Sequence, residues 1–354
     1  MRAPRCLRLL LGLVAVAAGT GCHGKVEEVP FVSRLINISD KFYDVQAIDA
    51  DHAVVVGYAG KILLTADGGF TWSRADSGTD RALYRVRFVD AQTGWVSGQD
   101  GVILHTVDGG QTWQRQHTGT TVYLFSEYFL DRNHGWAVGD KSIYLETRDG
   151  GATWSLHKIT TAAERALSPE QAIASQDPVL YDVQFLDART GWVVGEFGKI
   201  FHTSDGGHIW SEQEQSLLGT EVVDILDLPT LFGLHFVDRQ TGIAAGLDGR
   251  IVRTEDGGAS WRFEKMKLRY PIIDPLFYPV LFPDGTGWAI GAAGEVVHLA
   301  TAGGQWQRAD LGMEVVTWLR GMSWLNEQNG WMVGGFGLIL HTKDGGKIWI
   351  PSLG

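Results

Sequence analysis

Six aspartates occupy one position in a repeated eight-residue motif and are the first candidates for acid–base chemistry. The motif reads TADGGFTW in its first copy and TKDGGKIW in its last. A degenerate seventh copy, LATAGGQW, lacks the aspartate. Glycoside hydrolysis needs two carboxyl groups within roughly 5 to 10 Å of each other. An aspartate that opens a tight turn instead accepts hydrogen bonds from backbone N–H groups, and repeated turns on the periphery of a fold lie far apart. We therefore assign a structural role to these residues, which are Asp67, Asp108, Asp149, Asp205, Asp256 and Asp344.

Four histidines suggest a metal-binding site before the repeats are aligned with one another. His105, His202, His298 and His341 then fall on the equivalent position of four different repeats. Zinc ligands must all lie about 2 Å from one ion, which residues spread over separate repeats do not achieve. The chain also has no phosphate-binding glycine loop, nucleophile elbow or Cys-His arrangement. We expect no catalytic residue, no metal and no cofactor.

The elements that position these residues are seven tandem units. A second block, such as GWVSG or GWAVG, precedes each motif, and the interval from its second residue to the motif tryptophan is always 18, as from Trp95 to Trp113. Each unit contains four short β-rich runs separated by turn clusters, without a helical period. This pattern predicts an all-β, seven-bladed β-propeller of four-stranded antiparallel blades. A β-helix would need shorter rungs.

The first residues predict export. Arg2, Arg5 and Arg8 precede a short apolar run, which is typical of a signal peptide. The small residues before Cys22 resemble a bacterial lipobox, so we expect signal-peptide residues 1–21 and a lipid on Cys22, while ordinary cleavage after residues 15–17 stays open. Residues 22–40 then form a linker in which 29–38 can supply the strand that closes the ring, and 41–354 form the propeller.

Charge restricts the partners. The formal net charge is -11, and an acidic protein without a strong basic patch repels a polyanion, so we expect no nucleic-acid binding.

Four arginines still stand out near the starts of the predicted inner strands. One position carries an aromatic residue in six units and Arg320 in the seventh. Together with Arg81, Arg85 and Arg87 it is our candidate site for an acidic partner. The alternative is that these arginines pair with neighbouring acids around the channel.

The combination of both blocks is similar to that of a known family. The T-x-D-G-G-x-T-W boxes look like the Asp-box, or bacterial neuraminidase repeat, and with an upstream G-W-x-V-G they resemble the photosystem II stability and assembly factor family. The resemblance implies a non-enzymatic exported propeller that binds an assembly intermediate of a membrane protein, which is a reaction-centre subunit in photosynthetic members. We expect a monomer on the periplasmic side, in membrane contact through lipidated Cys22. Its partner would be a membrane or envelope protein, and a photosystem subunit if the host is photosynthetic. The alternative is an Asp-box glycoside hydrolase or a sialidase-like enzyme.

Overall fold

The computed structural model describes residues 35–159, 177–219, 222–224 and 227–352. These residues form seven four-stranded antiparallel sheets in which the strands follow chain order. The predicted seven-bladed propeller is therefore confirmed. The predicted signal peptide and Cys22 lie outside the described residues.

Each blade runs from an inner strand beside the central channel to an outer strand. Blades one to four consist of β1 (Phe42–Ala47), β2 (Ala53–Gly57), β3 (Ile62–Thr65), β4 (Ser73–Ala75); β5 (Leu83–Phe88), β6 (Gly94–Gly98), β7 (Ile103–Thr106), β8 (Gln114–Arg115); β9 (Leu124–Phe129), β10 (Gly135–Gly139), β11 (Ile143–Thr147), β12 (Ser155–Lys158); and β13 (Leu180–Phe185), β14 (Gly191–Gly195), β15 (Ile200–Thr203), β16 (Ser211–Glu212). Blades five to seven consist of β17 (Leu231–Phe236), β18 (Gly242–Gly246), β19 (Ile251–Thr254), β20 (Arg262–Phe263); β21 (Leu276–Leu281), β22 (Gly287–Gly291), β23 (Val296–Leu299), β24 (Gln307–Arg308); and β25 (Leu319–Trp324), β26 (Gly330–Gly334), β27 (Ile339–Thr342), β28 (Ile350–Pro351).

The helical elements among the described residues are short 3-10 turns. One joins the second and third strands in each of the first six blades, and another follows β16. They span Tyr58–Gly60, Gln99–Gly101, Asp140–Ser142, Glu196–Gly198, Glu214–Leu217, Leu247–Gly249 and Ala292–Gly294. Within the described ranges, no helix has the length and apolar character needed to span a bilayer.

The antiparallel order gives the ring two distinct faces. Turns between the first and second strands and between the third and fourth strands lie on one face, which we call the box face because it carries the Asp-box motifs. Turns between the second and third strands lie on the other, together with the connections that lead into each inner strand. We call it the entry face.

The hydrophobic core lies between blades and is built from the two repeated tryptophans. Trp136 of blade three stacks on Phe185 of blade four at a centroid distance of 3.7 Å, and the Asp-box residue Trp210 meets the same phenylalanine edge-on at 6.1 Å. Trp95 on Phe129 and Trp192 on Phe236 repeat the stack. The fixed interval of 18 residues follows, because both tryptophans of a blade must meet aromatic rings at two successive blade interfaces.

The Asp-box carboxylates hold their own turns together. Asp149 accepts hydrogen bonds from the Thr147 hydroxyl at 2.8 Å, the Thr153 N–H at 2.9 Å and the Thr153 hydroxyl at 2.6 Å. The bonds from Thr153 are the main cause of the lowered pKa of Asp149. The two glycines of this turn, Gly150 and Gly151, have φ of 71° and 85°, a region that other residues rarely adopt.

The four aligned histidines pack against tryptophans of their own blades. His105 lies on Trp95 and His341 on Trp331, at centroid distances of 4.8 and 4.1 Å. Burial lowers the pKa of both imidazoles. Among the described residues, no group of three or more His, Cys, Asp or Glu side chains is arranged to hold a metal ion.

The C-terminus, and not the N-terminal segment, supplies the outer strand of the last blade. Ile350–Pro351 pairs with β27, so the expectation that residues 29–38 form this strand is wrong; residues 29–34 of that stretch lie outside the described residues. The N-terminal segment closes the ring at another place. Lys41 bridges Gly335, the Gly337 N–H donates to the Asp40 carbonyl at 2.9 Å, and Ile36 packs in the core between the last and first blades.

Candidate functional site

Polar side chains of the inner strands connect neighbouring blades around the channel. An inner strand is the edge of its sheet, so part of its backbone N–H and C=O groups has no strand partner. The Gln46 side chain accepts from the Phe88 N–H at 2.9 Å, and Gln184 makes the same bond to Phe236 at 2.8 Å. These glutamines therefore fix the spacing of the strands that carry the channel residues.

Arg85 spans the middle of the channel. From blade two its guanidinium lies 3.7 Å from the Asp44 carboxylate of blade one and 3.4 Å from Asp182 of blade four, and it donates to the Tyr278 hydroxyl of blade six at 2.8 Å. Burial lowers the pKa of Arg85, but the nearby Asp182, Tyr278 and Asp44 outweigh burial and raise it. Burial raises the pKa of Asp44 to about 6 despite Arg85. Arg85 is thus committed to an ion cluster.

The two aspartates of this cluster also hold backbone groups of the next blade. Asp44 accepts from the Val86 N–H at 2.9 Å, and Asp182 accepts from the Leu234 N–H at 3.0 Å and the Ser126 hydroxyl at 2.7 Å. Their side chains are 5% and 3% exposed. Buried carboxylates with such partners have few lone pairs left for a ligand.

A cavity of about 810 Å³ extends from this cluster toward the box face. Its floor includes Asp44, Arg85 and Glu127. Its outer wall consists mainly of apolar residues at and after the ends of the inner strands. The apolar residues are Ile48, Val237, Phe282, Pro283, Trp324 and Leu325, and the polar residues of this wall include Asn326, Glu327 and Gln328.

Arg87 and His235 lie in the wall of this cavity. The Arg87 guanidinium stacks on the Tyr128 ring at 4.5 Å and donates to the Tyr128 hydroxyl at 3.3 Å. His235 Nδ1 accepts from the Leu281 N–H at 3.1 Å. Burial, with the positive charges of Arg87 and Arg85, lowers the pKa of His235 to about 4. The imidazole is therefore neutral at pH 7.

The opposite end of the channel, at the entry face, is a closed ring of aromatic side chains completed by one cation. Six rings contact one another in blade order at centroid distances between 4.9 and 5.5 Å. Arg320 fills the seventh place, 5.7 Å from the ring centroids of both Tyr43 and Phe277. We call this ring the collar; its residues are Tyr43, Tyr84, Phe125, Tyr181, Phe232, Phe277 and Arg320.

Arg320 differs from Arg85 in its partners. Over the described ranges no carboxylate lies within ion-pair distance of Arg320, and its neighbours are the faces of Tyr43 and Phe277. Burial lowers its pKa. An arginine held between aromatic faces still offers hydrogen-bond donors to an anion that approaches along the channel axis.

The four predicted arginines do not form one rim. Arg320 lies in the collar, and Arg81, just before β5, pairs with Asp100 of an entry-face turn at 2.7 Å and with Asp80 at 3.3 Å. Arg85 lies in the mid-channel cluster, and Arg87 lines the cavity toward the box face. The structure therefore brings Arg81 and Arg320 to one face and separates them from Arg87.

Four channel residues were not among the predicted site residues: Glu127, Tyr128, His235 and Tyr278. The repeat register places Tyr128 and His235 at the position of Arg87, and Tyr278 at the position of Arg85, so alignment alone signals that they share layers of the channel. The repeat does not predict which of these residues contact each other, because that depends on how far each side chain reaches across the channel.

Glu127 gives the channel a testable pH response. Its side chain is 1% exposed, it accepts a hydrogen bond from the Ser97 hydroxyl, and burial raises its pKa from 4.5 to about 8. Because the folded pKa is the higher one, Glu127 favours the folded state below about pH 4.5, and this contribution is lost as the pH rises to about 8. We expect Glu127→Gln to make the decline in unfolding free energy across this window shallower, and to leave the part that comes from Asp44, whose pKa is raised to about 6. Urea titrations at several pH values measure it; an unchanged slope would contradict the assignment.

A family model described as photosynthesis system II assembly factor YCF48 matches residues 25–123, 116–171 and 220–321, more than half of the chain. Two similar proteins come from Synechococcus. The photosystem II assembly lipoprotein Ycf48 of strain CC9902 is 25% identical over 46% of this chain and 59% of its own length. The photosystem II assembly protein Ycf48 of strain JA-3-3Ab is 27% identical over 49% and 48%, respectively. The chain thus spans about half to three fifths of these relatives.

Solved structures support the fold. The structure of YCF48 bound to D1 peptide superposes with a TM-score of 0.65 at 17% identity, covering 87% of this chain and 93% of that chain. YCF48 from Cyanidioschyzon merolae gives 0.68 at 19%, covering 86% and 96%. The GH74 xyloglucanase of Xanthomonas campestris gives 0.65 at 11%, covering 89% of this chain and 54% of the enzyme. Likeness at this level of identity concerns architecture alone.

Proposed function

Because the chain belongs to the photosynthesis system II assembly factor YCF48 family, we propose that it is a non-enzymatic assembly or stability factor for a membrane or envelope protein complex. Its client is a photosystem subunit where the host is photosynthetic. Support for a polypeptide client comes from the similar structure of YCF48 bound to D1 peptide. The matching family model makes a glycan-acting hydrolase the weaker interpretation.

The observation that carries the proposal is the collar with its single unpaired cation. An aromatic ring around one arginine offers a large rigid apolar contact and a central anchor, the composition typical of binding hot spots. The same face carries further exposed apolar residues, since Tyr58 and Phe336 are 55% and 58% exposed. We propose that a client segment with apolar side chains and one acidic group binds here. Of the four predicted arginines, Arg320 and Arg81 keep this role.

The carboxylates of the channel support binding rather than hydrolysis. A central pocket with convergent acids would favour an enzyme, and Asp44, Asp182 and Glu127 do lie near one another. However, both aspartates lie against the Arg85 guanidinium, and both are hydrogen-bonded to the neighbouring blade. A hydrolase needs a carboxyl pair that reaches substrate and water.

The proposed site of action is the outer surface of a membrane. The signal pattern of residues 1–21 and the lipobox-like approach to Cys22 support export and lipid anchoring on the periplasmic side, and the relative from strain CC9902 is itself named a lipoprotein. Residues 22–40 would then link the lipid to the propeller.

The collar is tested by replacing its cation. We expect Arg320→Ala to reduce client recovery at least about tenfold when the tagged full-length protein is purified from solubilised host membranes, because a carboxylate bound to arginine contributes roughly 1.5–3 kcal/mol. Arg148→Ala is the matched control, since that arginine is 64% exposed on the box face. Equal client recovery by the unchanged protein and both variants, at equal thermal stability, would contradict the collar site.

A further inference from the structure

Arg87 is a channel cation that makes no ion pair with the mid-channel cluster. Of the carboxylates in the described segments, none lies within ion-pair distance of it. Its Nε is buried and has no hydrogen-bond partner among the described residues. A buried charged donor without an acceptor is costly, and proteins commonly retain one where a ligand supplies the acceptor.

Other hydrogen-bond donors lie around Arg87. Since His235 Nδ1 accepts a backbone N–H, the ring proton is on Nε2, which is then a donor. The Tyr128 hydroxyl accepts from Arg87 and keeps its own proton to donate. Glu127, 1% exposed, has one carboxyl oxygen without a partner in the described part of the chain, and this group is protonated at neutral pH. An excess of donors selects a ligand that only accepts, which is an anion.

The rest of the cavity selects an apolar body. Phe282, Pro283, Trp324 and Val237 form the wall between Arg87 and the box face, and a volume of about 810 Å³ lies in the range of small-molecule sites. Hydrated inorganic anions gain little from such a wall. A planar carboxylate matches the fork of an arginine and allows the attached group to pack against the apolar residues.

We propose that the box-face cavity binds an organic carboxylate with an apolar body, with Arg87 as the principal anchor and His235 as a second donor. This site lies on the opposite face from the collar and does not depend on the proposed client. The carboxylate belongs either to a free acid or to an acidic side chain inserted by a polypeptide; the chemistry of recognition is the same.

The test compares 3-phenylpropionate with its uncharged amide by calorimetry on the full-length protein. We expect the acid to bind at least about tenfold more tightly than the amide, since only the acid pairs with the guanidinium. Arg87→Met should remove this preference and Arg87→Lys should retain part of it. Arg115→Met, on the exposed outer strand of the same blade, should match the unchanged protein. Equal binding of acid and amide would overturn the proposal.

A second measurement does not depend on any variant. A bound anion offsets the positive charges near His235, so its pKa should rise when 3-phenylpropionate is added, and NMR titration of the imidazole protons reports this shift. The charged and titratable groups that line the cavity with this imidazole are Arg85, Arg87, Asp44, Glu127, Glu327, Tyr128 and Tyr278. An unchanged His235 titration in the presence of bound acid would place the acid elsewhere and contradict the site.

The source of the carboxylate is separated by a pair of capped peptides. Acetyl-Phe-Glu-Phe-amide and its glutamine counterpart carry the same apolar groups and differ in one charge. Preferential binding of the glutamate peptide that Arg87→Met removes and Arg320→Ala leaves unchanged supports a side chain inserted into this cavity. Binding of 3-phenylpropionate alone supports a free acid. Failure of both, with client capture through the collar intact, refutes this site and leaves the assembly function standing.

Discussion

Arg85→Met is expected to lower the free energy of unfolding by about 3–5 kcal/mol, because it leaves two buried carboxylates without their cation. Asp44 and Asp182 are almost fully buried and would remain beside the apolar methionine. Exposed ion pairs contribute at most about 1 kcal/mol. Arg132→Met, which breaks the exposed pair with Asp90, is therefore the matched control. Chemical denaturation at pH 7 measures both changes.

The loss should also depend on pH. Without Arg85 the pKa of Asp44 rises further above its ordinary value, so the folded state binds a proton that the unfolded state has released. Stability of the variant then falls as the pH rises, and its deficit is smallest in mild acid. Adding Asp44→Asn and Asp182→Asn to Arg85→Met should restore most of the loss. A deficit equal to that of the surface control would show that the cluster is not desolvated.

Trp192→Ala is expected to destabilise the protein by about 3–5 kcal/mol, the range for removing a large buried aromatic side chain. Trp192 is 1% exposed and stacks on Phe236 of the next blade at 3.8 Å, so its loss opens a gap at a blade interface. Phe70→Ala is the control, because Phe70 is 78% exposed on the box face.

The same denaturant titration measures both substitutions. Trp192→Phe should recover part of the loss, since a smaller ring still packs against Phe236. An effect of Trp192→Ala below about 1 kcal/mol would contradict the view that stacked aromatic rings hold the blades together.

The blades were predictable because their cause is local and repeated. The interval from Trp95 to Trp113 recurs in all seven units, and it reflects two packing requirements that each unit must meet at its own pair of interfaces. The collar followed from the same register, which placed Arg320 among six aromatic residues. The structure shows those seven residues in one ring.

The strand that closes the ring was not predictable in this way. Five residues after Trp349 suggested too little chain for an outer strand, but two of them, Ile350 and Pro351, suffice to pair with β27. Outer strands elsewhere are equally short, as in Gln114–Arg115. The N-terminal segment instead pairs through Lys41 with Gly335, in the turn between the second and third strands of the last blade, and Ile36 packs in the adjoining core.

The side-chain pairings inside the channel could not be predicted from the sequence, and the reason is geometric. Arg85 meets residues of blades one, four and six, because a long side chain can cross a narrow channel to any of several blades. The position of a residue in the repeat predicts its depth in the channel, but it does not predict which residue of another blade it contacts. Repeat register therefore does not reveal whether an arginine pairs with carboxylates, as Arg85 does, or makes no ion pair among the described residues, as with Arg87 and Arg320.

The central claim is that the entry face binds a polypeptide client, and site-specific photocrosslinking tests it most directly. The crosslinker p-benzoylphenylalanine replaces Phe336 on the entry face or Phe70 on the box face, two exposed phenylalanines on opposite sides of one ring. Irradiation in intact host cells should yield an adduct with a membrane or envelope polypeptide from position 336 and none from position 70. An adduct from position 70 alone, or from neither position while the protein is folded and exported, would contradict the account.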